Sequence, residues 1–330
     1  MSAPIELIRE KQRLNDQLEA AAALRIEGRF QEVREILTTL ERDPHVELLG
    51  NRTSLGLPRR LQSALLKLAK AEKNTVHRIG YQYHLVPPPT LLSPYTQFTS
   101  AQRRSLTKAN REAIPRKIHQ IWIGPHSPPV GTKAWQAHAK AQDYDYQLWN
   151  ENNLDALGLN ENRVYRDMLS KGDYPGAVDV ARYFILEKLG GVYLDSDWYP
   201  TRNDLSFHDF IPMFGLTTMA EDIPRNTGKG GLLLANSMLA APPKHPVFTR
   251  LNAALDDVMT ALPNAPAWWA TGPLIFTLMS RGGSVTLADA DLVAGSLPQD
   301  TPLPDIERWC QQAQAHDKGL LLAWKSWVWR

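Results

Sequence analysis

The chain has 330 residues, 43% hydrophobic and 22% charged, the composition of a folded globular protein rather than a disordered or fibrous one. Lys plus Arg total 37 against 35 Asp plus Glu, a net charge of +2, so nothing here favours a nucleic-acid partner held by phosphate neutralisation. Cys310 is the single cysteine, which excludes an internal disulfide and a thiolate zinc site.

The opening residues, MSAPIELIREKQRLNDQLEA, have no apolar core behind a basic tip and do not read as a signal peptide. No stretch approaches the roughly 18 apolar residues that cross a bilayer. The expectation is a cytoplasmic protein with no transmembrane segment; export by a signal-less route would leave no mark in the sequence.

Residues 4–42 are rich in helix formers, and Leu7, Leu14, Leu18 and Ala22 recur at helical steps. Gly28 interrupts them before Phe30, Val33, Ile36, Leu37 and Leu40 resume the stripe. Two antiparallel helices or one bent helix would satisfy this. Pro58 fits the first turn of a further helix carrying Leu61, Leu65, Leu66 and Leu68. One such hairpin resembles a tetratricopeptide unit, but a single copy does not define that repeat. Residues 1–85 are therefore expected to be a helical accessory region for structure or partner binding. The prolines of VPPPTLLSPYTQFTS open an extended connector over 86–114.

From Pro115 to the end, over 115–330, strand-like and helix-like pieces alternate, which predicts an α/β domain around a central sheet. IHQIWIG at 118–124 and YDYQLWN at 144–150 read as strands. GAVDVARYFILEKL at 176–189 reads as a helix stopped by Gly190 and Gly191. VYLDSD at 192–197, IPMFGLTT at 211–218 and GLLLANSMLAA at 231–241 are further strands, and TGPLIFTLMS at 271–280 is a helix opening at Pro273. Ligands of such sheets sit at the carboxyl ends of strands, where Gly124 and Asp195 both fall.

The most informative passage is the strand VYLDSD. Val192 and Leu194 would face one side, and Tyr193, Asp195 and Asp197 the other. Two carboxylates about 6.6–6.8 Å apart along a strand repel one another unless a cation lies between them. Carboxylate and water ligands favour magnesium or manganese over zinc, and such an ion could neutralise a departing diphosphate. A D-x-D in a solvated turn would be the plain alternative. A phosphatase with an aspartyl nucleophile also carries D-x-D after an apolar strand, but follows it with threonine or a small aliphatic residue, where this chain has Trp198.

Asp179 and Arg182 are three residues apart on the preceding helix and share a face. They could bind ribose, sugar or phosphate oxygens, or form a surface ion pair. Trp122 stands opposite Ile121 and Ile123 near a strand end, suited either to stacking on a base or to packing under a helix. His119 has no second histidine spaced to share a metal. The chain holds 10 tryptophans, with Trp324, Trp327 and Trp329 in the last seven residues; this aromatic surface should pack onto the domain, where Ser326 and Trp327 could close the pocket.

IPRKIHQIWIG, YDYQLWN and GAVDVARYFILEKLGGVYLDSD, in that order, resemble the retaining glycosyltransferases with a DXD sugar-binding region. That group includes fungal initiating alpha-1,6-mannosyltransferases, bacterial polysaccharide glycosyltransferases and, more distantly, the glucosylating domains of large clostridial toxins. The resemblance runs from about Pro115 to Pro200, with weaker support at TGP 271–273 and KSW 325–327, and does not reach residues 1–85.

It implies a GT-A fold with a central mixed sheet flanked by helices, a Mn2+ or Mg2+ ion, and a UDP or GDP sugar as donor. The acceptor could be carbohydrate, lipid-linked, a small molecule or a protein. It further implies that Trp122 stacks on the base, that Asp179, Arg182 and Tyr193 contact the donor, and that Asn236 binds the sugar. Asp195 and Asp197 would hold the metal, Asp197 more directly, with Ser326 and Trp327 beside the metal and diphosphate. Two departures stand out: Val178 replaces a common serine in the helix, and the histidine often found before the C-terminal serine-tryptophan is missing. A noncatalytic interaction protein with a degenerate transferase domain is the rival from another class; the intact D-x-D, D-x-x-R and Trp122 speak against it.

Overall fold

The computed structural model describes residues 3–50, 52–53, 55–85, 89–221, 233–262 and 265–325. They form two compact units, the first ending at Pro89 and the second beginning at Thr90.

The first unit is helical: α1 (Ala3–Ile26), α2 (Phe30–Glu41), α3 (Arg59–Ala71) and α4 (Thr75–Leu85). Gly28, at φ +76°, turns α1 into α2, so the first stretch is two helices and not one bent helix. Leu14, Leu18, Val33, Leu37, Leu40, Leu61 and Leu68 share one core. Pro58 stands one position before its expected place, at the N-cap of α3. Its fixed φ and extended ψ suit the chain entering a helix.

Residues 89–114 are not an extended connector. They contain α5 (Pro89–Leu92) and α6 (Ser100–Ala109). Thr99 and Gln102 form a reciprocal cap that starts α6. Leu92 and Leu106 are buried in the second unit's core, and Tyr95 and Phe98 pack against it. The prolines prevent one long helix, while the intervening apolar residues gain by burial.

The rest comprises β1 (Lys117–Ile121), α7 (Val130–Ala141), β2 (Asp145–Trp149), α8 (Glu151–Ala156), α9 (Arg163–Ser170), α10 (Tyr174–Leu189), β3 (Gly191–Leu194) and β4 (Trp198–Pro200). There follow α11 (Phe207–Phe210), β5 (Leu216–Ala220), β6 (Leu234–Ala241), α12 (Pro246–Ala261), α13 (Ala267–Ala270) and α14 (Pro273–Ser280). The unit closes with β7 (Val285–Leu287), β8 (Val293–Ser296), α15 (Leu303–Ala315) and β9 (Leu321–Ala323).

Six strands make a mixed sheet in the order β2-β1-β3-β6-β5-β7. β6 runs against β3 and β5, while β1 is parallel to β2 and β3. This is an α/β architecture of GT-A-like type. A second sheet, β4-β9-β8, was not anticipated in the sequence; its strands are three or four residues long, too short to show a period.

The pleat divides the core in two. Tyr193, Leu239 and Ala241 join the cluster under α10, α12 and α14. Val192, Leu194, Met238 and Ala240 join the opposite one with Trp135 and Phe207. With both faces covered, β3 is buried along its whole length. No helix among the described residues is long and apolar enough to cross a membrane.

α10 determines how the site is approached. Asp173 caps it by accepting from the Gly176 N–H at 3.0 Å, Pro175 lies in its first turn, and Gly190 ends it. Its buried residues run nearly all the way round, with Asp179 and Arg182 among them, as expected of a helix enclosed by the core. Gly190 has φ +63°, and a Cβ there would stand 2.5 Å from the Pro243 nitrogen. Gly190→Ala is therefore expected to cost roughly 2–4 kcal/mol, read as a lowered urea midpoint. An unchanged midpoint would show the α10–β3 turn to be free of this constraint.

Candidate active site at the end of strand β3

β1 and β3 are parallel, with His119 opposite Tyr193, so the residues following both strands emerge at one edge of the sheet. The sequence pattern carried β3 through Asp197, but the strand ends at Leu194 and residues 196–197 form a turn into β4. Alternation holds for Val192, Tyr193 and Leu194 and then stops. The reason lies in the backbone partners. The Asp195 N–H bonds to Ser237 O at 2.8 Å, and its carbonyl accepts from Trp198 N at 3.2 Å and from Gln120 Nε2 at 3.3 Å.

Further contacts fix the turn in place. Ser196 Oγ donates to Ile121 O at 2.9 Å, tying the turn to the end of β1. Trp324 N donates to Asp197 O at 2.7 Å, and Trp135 Nε1 to Trp198 O at 2.8 Å. The two carboxylates thus sit on a peptide anchored from β1, β6, α7 and β9, which limits how far either can drift.

Below the turn lies a buried polar network. Arg182 Nη2 is 3.0 Å from Asp195 Oδ1 and 3.2 Å from Asp179 Oδ1. Its Nη1 donates to Asn236 O at 2.6 Å, and the guanidinium lies 4.6 Å from the centre of the Tyr193 ring. Tyr193 donates its hydroxyl to Asp195 Oδ1 at 2.7 Å. Asp179 Oδ1 also accepts from Asn236 Nδ2 at 2.7 Å, and Oδ2 from Thr271 Oγ1 at 2.9 Å. Tyr183 completes the set, donating to Thr271 O at 2.7 Å and accepting from Asn236 at 3.1 Å.

Asp179 and Arg182 are therefore not a surface ion pair: their side chains are 9% and 5% exposed. The structure brings Asp179, Arg182, Tyr193, Asp195 and Asn236 into one connected group. It adds Tyr183, four residues after Asp179 on the same helix, together with Thr271 and Gln120, which carry no local spacing signal; only the TGP at 271–273 hinted at Thr271. Gly272 lets that corner close, since a Cβ on it would sit 3.2 Å from Asp179 Oδ2.

Burial sets the electrostatics. Loss of water pushes the Asp179 carboxyl up to about 6, and Arg182, shared with Asp195, only partly offsets it. Burial works against the Arg182 charge, yet Asp195, Tyr193 and Asp179 together hold it firmly protonated. Burial also pushes both the Tyr183 and Tyr193 hydroxyls well above their ordinary range, so they act as neutral donors. The Asp197 carboxyl rises to about 6 through burial and the neighbouring Asp195, with Lys325 opposing.

Asp197 is not satisfied in this way, nor are the indole N–H groups of Trp198 and Trp324 beside it. The Asp197 Oδ2 lies 3.6 Å from Lys325 Nζ, while its Oδ1 is buried without a hydrogen-bond partner among the described residues. An orphaned carboxylate oxygen calls for an explanation, and a hard cation meets it. The contacts of Asp195 described above fall on Oδ1. Among the described residues no group of three or more acidic, histidine or cysteine side chains could hold a metal. Two carboxylates with water and substrate phosphates suit Mg2+ or Mn2+, which seldom have all-protein cages.

Trp122 lies one residue beyond β1, half-buried, donating its Nε1 to His126 O at 2.6 Å. Ile121 and Ile123 share one core cluster on the other side. His119 is interior: it pairs through Nε2 with Gly190 O at 2.9 Å and accepts from Trp149 Nε1 at 3.2 Å. Burial lowers its pKa to about 4, so it is a neutral strut joining three chain segments. Trp324 is buried against Tyr199 as its aromatic character predicts. Ser326, Trp327 and Trp329 lie outside the described residues.

Residues 131–211, which contain the turn and α10, match the family described as glycosyltransferase sugar-binding region containing DXD motif. This family-level match supports glycosyltransferase activity in general. Among characterised relatives, the chain is 26% identical over 172 residues to mannosyl phosphorylinositol ceramide synthase CSH1 of Saccharomyces cerevisiae, covering 51% of this chain and 43% of that protein. It is 32% identical over 142 residues to inositol phosphoceramide mannosyltransferase 1 of Schizosaccharomyces pombe, covering 41% of this chain and 40% of that one. The chain thus spans less than half the length of these relatives. A solved structure of PaToxG Glycosyltransferase aligns over 69% of this chain and 82% of that chain, with a TM-score of 0.41 and 17% identity.

The raised Asp197 pKa carries a stability consequence. Its folded value lies above the ordinary aspartate value of 3.8, so the folded state binds more protons between about pH 4 and 6 and loses stability as pH rises through that window. Asp197→Asn should therefore raise the Tm of chelator-treated protein at pH 8 by about 2–4 °C, on the order of 1 kcal/mol. The gain should shrink toward pH 5, where the native carboxyl takes up its proton. A lowered Tm at pH 8 would contradict a net cost of the ionised Asp197 carboxylate that the Lys325 contact does not fully offset.

Proposed function

We propose that the protein is a metal-dependent glycosyltransferase that moves a hexose or related sugar from a UDP or GDP sugar to an acceptor hydroxyl. The observation that carries this reading is the buried, unpartnered Oδ1 of Asp197 beside Asp195, inside the segment matching the DXD sugar-binding family. Asp195 and Asp197 would hold Mn2+ or Mg2+, with Ser326 a further candidate from the resemblance. When bound, the ion supplies Lewis-acid stabilisation of the leaving diphosphate.

The chain's own residues orient and screen. Arg182 fixes Asp195 through a charge-assisted contact and supplies positive potential beneath the diphosphate. Asp179, Asn236 and Tyr193 present polar atoms for ribose and sugar hydroxyls, and Trp122, at the strand end, offers a face for the base. Trp327 would cover the donor from the C-terminal side.

Transfer is proposed to proceed with retention, in keeping with the family resemblance. The incoming hydroxyl would pass its proton to the leaving phosphate oxygen on the same face. An aspartyl-nucleophile phosphatase would want threonine or a small aliphatic residue after the second aspartate, where this chain has Trp198. The names of the fungal relatives suggest a mannosyl donor and a lipid-linked acceptor as the first pair to assay.

Asp195→Asn and Asp197→Asn should each lower transfer by at least about a hundredfold, measured as donor consumption and product formation with UDP and GDP sugars plus Mn2+. Full activity of both variants after chelation would overturn the metal role, and inversion at the anomeric carbon by product NMR would overturn retention. Trp122→Ala should weaken donor binding, seen as a raised donor KM with acceptor KM unchanged. The reverse pattern would remove the stacking assignment.

A further inference from the structure

Lys325 is the one cation that the described contacts place against Asp197, and its position follows from the second sheet. β9 pairs antiparallel with β4 so that Ala323 faces Trp198. The next residue, Trp324, donates its N–H to Asp197 O at 2.7 Å and buries its ring against Tyr199, with ring centres 5.9 Å apart. Lys325 therefore leaves a fixed point immediately beside the D-x-D turn. Its ammonium lies 3.6 Å from Asp197 Oδ2, although its side chain is 64% exposed.

The local charge balance is uneven. Arg182 is committed to Asp179, Asp195 and Asn236 and is enclosed by them. Lys325, by contrast, makes one loose ion-pair contact among the described residues, from a largely solvated stem. A compact ammonium on four methylenes can change partners at little cost, whereas a buried guanidinium fork cannot.

Resting on the donor and metal assignments above, we propose that Lys325 is an exchangeable counter-ion. It neutralises Asp197 while no divalent cation is bound, and moves to the donor's diphosphate once a cation takes its place. Two positive groups cannot both occupy the space beside one carboxylate without repulsion. A diphosphate arriving with the metal supplies the negative charge that Lys325 then meets. Metal alone is thus opposed by Lys325, while metal together with a nucleoside diphosphate is favoured by it. Lys325 becomes a leaving-group-binding residue that couples the two ligands.

The coupling predicts changes of opposite sign, which a purely structural role would not give. In Lys325→Gln, Mn2+ binding without nucleotide, followed by the electron paramagnetic resonance of free Mn2+, should tighten about three- to tenfold. In the same variant with saturating Mn2+, binding of UDP or GDP by calorimetry should weaken by a similar factor. Lys325→Arg should restore the native direction of both. Shifts of the same sign, or no shift in Mn2+ binding, would overturn the proposal, as would an arginine variant behaving like glutamine. Should the native protein bind Mn2+ but neither nucleotide, the donor assignment fails; the diphosphate half of this inference falls with it, and the Mn2+ arm alone judges the counter-ion half.

Discussion

One guanidinium serves two carboxylates inside the protein, and the site is arranged around that constraint. Arg182 meets Asp179 from its own helix and Asp195 from the end of β3, and also donates to the Asn236 carbonyl on β6. Removing three charged groups from water is costly, and such networks often weaken a fold compared with an apolar core of the same shape. Every further polar atom nearby therefore has to find a partner. Thr271, Tyr183, Asn236 and Tyr193 do so, and each comes from a different part of the chain or a different face of its element. Arginine suits this place because its planar fork reaches several acceptors at once and remains charged when buried.

The network has a fixed side and an open side. On the fixed side, Asp179 has both oxygens engaged and Asp195 is held through Oδ1. On the open side, Asp197 keeps one oxygen without a partner and the other near a solvated lysine. The proposed binding of a cation and a diphosphate would call for this asymmetry. Rigid groups define the geometry in advance, while the Asp197 carboxylate is met only by a largely solvated lysine that a ligand could displace. The backbone shows the same economy, because the turn from Asp195 to Trp198 is pinned by its amides, its carbonyls and the Ser196 hydroxyl, and not through the Asp197 carboxylate.

The helical first unit stands apart in its physics. Its core is built from leucines at helical spacing, closed by Gly28 and by pairs such as Arg13 with Asp43. Residues 90–109, in contrast, belong with the second unit because Leu92 and Leu106 fill its core and Arg250 lies 4.0 Å over the Phe98 ring. Proline content alone misplaced that boundary: proline restricts φ but does not stop neighbouring apolar residues from packing.

Local chemistry was legible in the sequence. The helical stripe of 4–42, the stop at Gly190 and Gly191, the helix opening at Pro273 and the burial of Val192 and Leu194 all follow from propensities and periods acting within a few residues. So did the grouping of Asp179 with Arg182, because a three-residue step on a helix fixes a shared face. What the tertiary structure decided was partnership across long separations. The turn at 195–197, the approach of Thr271 to Asp179, the second sheet and the seating of Lys325 beside Asp197 depend on contacts 42 to 128 residues apart or on strands of three or four residues. Such contacts leave no period in the chain, since their energy appears only after the core has brought the segments together.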